Sequence, residues 1–328
     1  MRHCLLLLLT AIMAVPATAQ TTLQTTATQP YPSKAIKLIV PFPAGGPLDS
    51  IARVVADKLS LLIGQPVVIE SRSGAGGVTG TALVAKAEPD GYTIALSSAG
   101  ALAISLNLAD KIPYDPLKDL ELLTLVAITP EVLVLGRGVE ARTTAELIAL
   151  AKQQPGRLNF ASTGKGSMSH LSSELFKQST GIDIVHVPYS GAAPAVNDLL
   201  GGHVHMLFAD IQVLLGSVQS GQLKALAIGG RNRVVALPDV ATMTEVGLSQ
   251  VVASNWYGAV APPATPPAIA MKLTEMLIAA VRSPEVRDKL EPQGAEVVGN
   301  TPEEFKAFLK AEIERWGKVI RTAGIKAN

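Results

Sequence analysis

The sequence predicts an α/β protein arranged in two lobes. Short β-prone runs alternate with amphipathic helical patterns from Ala35 onward. That alternation occurs twice along the chain. Glycine-rich turns fall where a strand leads into a helix, as at Pro41–Gly46 and Ser71–Gly80.

Ile36–Pro41 reads as the first strand. A helix follows over Ser50–Ile63, with Ile51, Val54, Val55, Leu59 and Leu62 on one face. Pro66–Glu70 and Tyr92–Ser97 are further strands, separated by a helix over Thr81–Ala87. This βαβαβ order implies a parallel sheet. The scheme then repeats with a strand at Glu131–Leu135 and a helix opened by a Thr143/Glu146 capping box. A strand at Leu158–Ala161 and a helix at His170–Ser179 come next. Strands at Ile184–Val187, Val204–Phe208 and Leu223–Ile228 follow, with a helix over Pro194–Leu200. Ser254–Ala261 is a late strand, and Thr301-Pro302-Glu303-Glu304 starts a final helix. Periodicity does not assign each strand to a lobe.

Composition narrows the function. The chain has 328 residues, 48% apolar and 17% charged, enough for two domains with a sizeable core. Net charge is +1, aromatics are 4%, and no basic block occurs, so nothing favours nucleic acid. Arg2 and His3, an apolar Cys4–Val15 and Ala17-Thr18-Ala19 read as a secretory signal peptide over 1–19. Cleavage after Ala19 removes Arg2 and no acid, bringing the formal charge to 0. It also removes Cys4, the single cysteine, leaving no disulfide and no thiolate nucleophile or metal ligand. Residues 20–32 are Thr- and Gln-rich and read as a flexible lead-in. The mature chain is expected to be soluble outside the cytoplasm.

Three loops are candidate sites. Phe42–Asp49 holds no Lys or Arg, and Gly45-Gly46 lets N–H groups converge at a helix start, the usual cradle for an anion. Pro47 fits the first helical position, and Asp49 falls where a carboxylate favours the dipole. A bare turn with a capping Asp explains the segment equally well. The Ser71–Gly80 loop spells G-x-G-x-x-x-G and fails the dinucleotide fingerprint. Ala161–His170 offers Ser162, Thr163, Ser167 and Ser169 hydroxyls with Gly164 and Gly166, but its spacing is not that of a phosphate-binding P-loop. A Ser-rich helix start is its simpler reading. His203 and His205, two apart on a strand, lack a third ligand at a metal-site spacing. No cofactor or metal is expected.

Nine segments in order are similar to one family. They include "PFPAGGPLD", "GQPVVIESRSGAGGVTG", "PGRLNFASTGKGSMSHL", "GIDIVHVPYSGAAPAVNDLLGGHVHMLF" and "TPEEFKAFLKAEIERWGKVIRTAGIK". The match runs from Tyr31 to Lys326 and resembles the Bug proteins, the TctC-like receptors of tripartite tricarboxylate transport systems. The resemblance implies a two-lobed periplasmic binding protein of the type II-like, Venus-flytrap kind. Each lobe would be a mainly parallel sheet flanked by helices, and crossing strands would join them. Lobe 1 would comprise 33–130 plus 253–328, and lobe 2 131–252. Family members hold a small organic acid between the lobes on amides, hydroxyls and waters, largely without a cation.

Carried over by position, Phe42, Ala44, Gly45 and Gly46 wall the cleft, with Asp49 at the helix start. Ser97 and Ser98 follow the third strand. Ser162, Thr163, Gly164, Ser167 and His170 form the second-lobe loop, and Tyr189 and Gly191 the "PYxG" turn. Family members usually place an Asp directly after the strand's Phe, whereas here Phe208 is followed by Ala209 and then Asp210. A one-place shift turns a side chain to the other face of a strand, which disfavours an amino acid ligand. The expected function is that of a monomeric receptor, not an enzyme. It would carry a small carboxylate to membrane permease subunits or a sensor. The competing class is an exported hydrolase using Ser167 and His170, or a nucleotide enzyme.

Overall fold

The computed structural model describes residues 31–108 and 112–325. The expected signal peptide over 1–19 and nearly all of the expected lead-in lie outside them. The lead-in expected through Pro32 ends earlier: the Tyr31 ring packs edge-on against Tyr92 at 5.1 Å and its hydroxyl donates to Gly91 O at 2.6 Å.

The chain forms β1 (Ile36–Val40), α1 (Pro47–Ile63), β2 (Val67–Ser71), α2 (Val78–Ala85) and β3 (Thr93–Ser98). A buried, widened helical turn at Gly100–Ile104 leads to α3 (Ser105–Leu108). Then come β4 (Glu121–Leu135), α4 (Thr144–Gln153), β5 (Asn159–Ser162), α5 (Met168–Thr180), β6 (Val185–Pro188) and α6 (Ala192–Gly201). The remainder is β7 (Met206–Asp210), α7 (Ile211–Gln219), β8 (Lys224–Ile228), β9 (Ser254–Ala261), α8 (Pro267–Val281), α9 (Pro284–Leu290), β10 (Glu296–Val297) and α10 (Pro302–Ala323).

The strand order is β2-β1-β3-β9-β4-β7-β5-β6, with β8 and β10 also paired to β4. Pairing within β2-β1-β3 and within β6-β5-β7 is parallel, as βαβ connections require. The strands joining these two groups are antiparallel. This is the two-lobed arrangement, with β4 and β9 as the crossing strands. β4 pairs β9 as far as Pro130↔Ser254, and from Glu131 onward it pairs β7 and β8.

Only the last five residues of β4 were predicted as a strand. Its earlier part, Leu122–Ile128, is a nearly continuous apolar run, buried on both faces, and such runs lack the alternation that marks a strand. His203 and His205 precede β7 instead of lying on a strand, and His205 Nδ1 meets Asn159 Oδ1 at 2.8 Å. The apolar faces bury as expected elsewhere. α1 places Leu48, Ile51, Val55 and Leu59 against the sheet, while Leu62, assigned to that face, is half exposed. α10 starts with the Thr301/Glu304 capping box and buries Phe305, Leu309 and Trp316. Among the described residues, no helix is long and apolar enough to cross a membrane.

Candidate functional site

Parallel strands end together, so their following loops and helix starts gather at one edge of the sheet. Here they enclose a cavity of about 120 Å³. Gly46, Pro47 and Leu48 line it at the start of α1, Ser167 and Met168 at the start of α5. Residues 191–194 line it at the start of α6, and Asp210 and Val213 at the start of α7. Each helix start presents backbone N–H groups without intrahelical partners and the positive end of a peptide dipole. Among the described residues, no Lys, Arg or His lines the cavity. Two wider surface depressions share no residue with it.

The predicted residues separate into those that line the cavity and those that shape its wall. Phe42, Ala44, Gly46, Ser98, Thr163, Ser167, Gly191 and Asp210 line it. Gly45 sits at φ +80°, a conformation costly for other residues, and its N–H donates to Asp49 Oδ2 at 2.9 Å. Asp49 is buried and also pairs with Arg53 at 2.9 Å, so it braces the turn. Ser97 alternates away from Ser98 and meets Thr81 Oγ1 at 2.7 Å. Tyr189 donates its hydroxyl to Asp198 at 2.6 Å, tying the β6 exit to α6.

The second-lobe loop is held from beneath. Ser167 Oγ donates to Gly164 O at 2.7 Å and accepts from His170 N–H at 3.3 Å, which makes Ser167 the N-cap of α5. His170 Nδ1 accepts from Gly166 N–H at 3.3 Å. Its ring stacks on His186 at 4.1 Å between centroids, and His186 stacks on Phe160 at 4.8 Å. His186 Nε2 lies 2.6 Å from Ser162 Oγ. Burial, then the neighbouring His186 and Lys165, push His170 down to about 3; burial, Lys165 and Lys177 push His186 down to about 4. Both rings are neutral at physiological pH. With Nδ1 taken by Gly166 N–H and Nε2 facing Glu174 at 4.0 Å, His170 is not placed to take a proton from Ser167 Oγ.

The lobes meet around the cavity. A Cβ on Gly100 would lie 3.0 Å from Gly76 O and 3.2 Å from Gly166 O, so the first-lobe glycine loop packs against the second-lobe loop. Gly76, in the Ser71–Gly80 turn, thus lies at the contact between the lobes.

The cavity floor was not legible from motifs. Glu131 and Asp210 are cross-strand partners on β4 and β7, so both side chains leave the same face. Asp210 accepts from Thr129 Oγ1 at 3.0 Å, from Asn255 Nδ2 at 3.2 Å and from the Tyr257 hydroxyl. Burial nevertheless raises Asp210 to about 6. Burial and the Asp210 charge push Glu131 well above the usual carboxylate range, so Glu131 keeps its proton and hydrogen-bonds Asp210. Among the described residues, its Oε2 has no partner, and neither has Ser98 Oγ. The available clue was an acid inside the apolar run Leu122–Leu135, together with polar Asn255 and Tyr257 in β9.

Among the described residues, no cluster of three or more His, Cys, Asp or Glu could hold a metal ion. Residues 51–325 match the family model of the tripartite tricarboxylate transporter family receptor. Protein BugT of Bordetella pertussis is 42% identical over 97% of this chain and 95% of its own. The solved periplasmic binding protein BugD superposes with a TM-score of 0.86 at 34% identity, covering 90% of this chain and 99% of that one. An R. palustris protein solved with adipate gives 0.87 at 34% identity, covering 90% and 99%. These matches extend over both lobes and the crossing strands, and the chain belongs to the tripartite tricarboxylate transporter receptor family, as a Bug-type, TctC-like periplasmic binding protein.

Proposed function

We propose that this protein captures a small organic carboxylate between its lobes and hands it to the membrane subunits of a tripartite tricarboxylate-type transporter. The observation that carries the reading is the meeting of the α1, α5, α6 and α7 N-termini on one small cavity without a cationic side chain. Amides aimed at an anion form short, charge-assisted bonds, and several together replace an Arg. The adipate bound by the R. palustris relative is a ligand of that chemical kind.

Phe42, Ala44, Gly46, Ser98, Thr163, Ser167 and Gly191 would touch the ligand, with Gly45, Asp49, Ser97, Ser162, Gly164, His170 and Tyr189 holding those loops in place. The lobes would pivot where β4 and β9 cross, dividing 33–130 plus 253–328 from 131–252. Closure follows as a population shift driven by contacts made in the closed form alone. Export by cleavage after Ala19 would deliver the chain to the periplasm.

A thermal-shift screen across mono-, di- and tricarboxylates, aromatic acids and amino acids tests the reading. An acid present at a hundred times its Kd adds about 2.7 kcal/mol, or roughly 5 °C in Tm for a chain of this size. Absence of stabilisation by every acid refutes it. So does turnover of an ester or nucleotide panel that Ser167→Ala abolishes.

A further inference from the structure

We propose that the Glu131–Asp210 pair is a recognition site for an ammonium group, so that the preferred ligand is an amino-carboxylate, zwitterionic under physiological conditions. The inference rests on the receptor reading and specifies its ligand class.

The cavity is polarised. On one side lie helix starts, which favour negative charge. Its ionisable lining side chains are acids and tyrosine: Glu131, Asp210 and Tyr257. The two carboxyls face each other across β4 and β7, at 1% and 4% exposure. Two ionised carboxylates at such spacing repel strongly, so the pair shares one proton and keeps about one negative charge.

That residual charge is incompletely answered from within the protein. Asp210 takes donors from Thr129, Asn255 and Tyr257. Glu131 lines the same cavity, and its buried Oε2 receives no donor from the described residues. Ser98, from the opposite lobe, also lines the cavity, and its buried Oγ has no partner among the described residues. A buried acceptor left unmatched is costly, and a donor brought by the ligand relieves that cost. An ammonium supplies three donors and a positive charge, matching Glu131 Oε2, the Asp210 carboxylate and Ser98 Oγ in kind. A second carboxylate on the ligand would instead meet two acids and no lining cation.

This reverses the expectation drawn from the Ala209-Asp210 order. The shifted Asp faces Glu131, which converts one acid into a proton-sharing pair on the cavity floor.

The test is calorimetric titration of the purified protein with matched sets. One set is 4-aminobutyrate, butyrate and succinate; others pair glycine, β-alanine, 5-aminovalerate, alanine and leucine with their deaminated acids and nearest diacids. The expected result is at least one amino compound binding about tenfold or more tighter than both counterparts, a gap of about 1.4 kcal/mol. In Asp210→Asn, which keeps shape but removes the pair's negative charge, that preference falls below about threefold. Tighter binding of the diacid or deaminated acid in every set overturns the inference while leaving the receptor reading intact. An amino preference unchanged in Asp210→Asn also overturns it. If no acid of any set binds, the receptor reading itself fails. Circular dichroism and urea unfolding of Asp210→Asn establish that it is folded. Ser98→Ala, with its single missing hydroxyl, is the second variant and should also reduce the amino preference.

Discussion

The His170–His186 stack makes the second lobe acid-sensitive, and His170→Asn isolates the effect. His170 sits at about 3 in the folded protein, against an ordinary value of 6.5. Because the folded value is the lower one, the unfolded chain takes up the proton first as pH falls below 6.5. Stability is therefore present above that value and is lost progressively between about 6.5 and 3. Each pH unit is worth about 1.4 kcal/mol, so at pH 5, about 1.5 units below the ordinary value, His170 alone costs about 2 kcal/mol. His186 is partly exposed, and solvent screening reduces its share to about 1 kcal/mol.

Other groups titrate in the same range with opposite sign. Glu131, Glu174 and Asp210 are all raised by burial, so their folded forms hold protons longer and stabilise on acidification. Comparison between variants cancels that shared background. Asn places an amide oxygen near the position of Nδ1 and preserves an acceptor for Gly166 N–H. Urea unfolding at pH 8, 7, 6 and 5, read by fluorescence of the buried Trp256 and Trp316, should show a profile about 2 kcal/mol flatter in the variant between pH 8 and 5. A fall of equal depth in both proteins would refute the assignment of a buried neutral imidazole to His170.

Two further outcomes follow from the packing. Gly100→Ala inserts a methyl between Gly76 O and Gly166 O, so it should weaken ligand affinity by obstructing lobe closure while costing about 1–3 kcal/mol of overpacking; unchanged titration isotherms would argue against closure at this contact. Glu312 Oε2 accepts from both Trp256 Nε1 and Trp316 Nε1 at 2.9 Å, joining α10 to β9. Glu312→Ala leaves two buried indole donors without a partner and should cost about 2–5 kcal/mol in urea unfolding; a loss below 1 kcal/mol would show that the tie is dispensable.

The loops were legible because their chemistry is local. Pro47 at a helix start and the Thr143/Glu146 and Thr301/Glu304 pairs act within one turn, and the structure contains each as a helix start. The division of labour among the predicted site residues was less legible. Gly45 and Asp49 lie in the candidate loop, yet they satisfy each other, and only the path of the chain shows that Gly46 is the one reaching the cavity. Ser97 and Ser98 differ by one position and fall on opposite faces, which a strand boundary uncertain by one residue could not separate.

The order of strands, glycine turns and capped helices, written in local periods, determined an α/β chain whose helix starts share one edge. Tertiary structure alone decided what the floor of that edge is made of. Glu131 and Asp210 are 79 positions apart, with Asn255 and Tyr257 further still, and nothing in a local window couples them. They meet because β4 and β9 cross between the lobes, and antiparallel register sets one acid opposite the other in a site too dry for both to ionise.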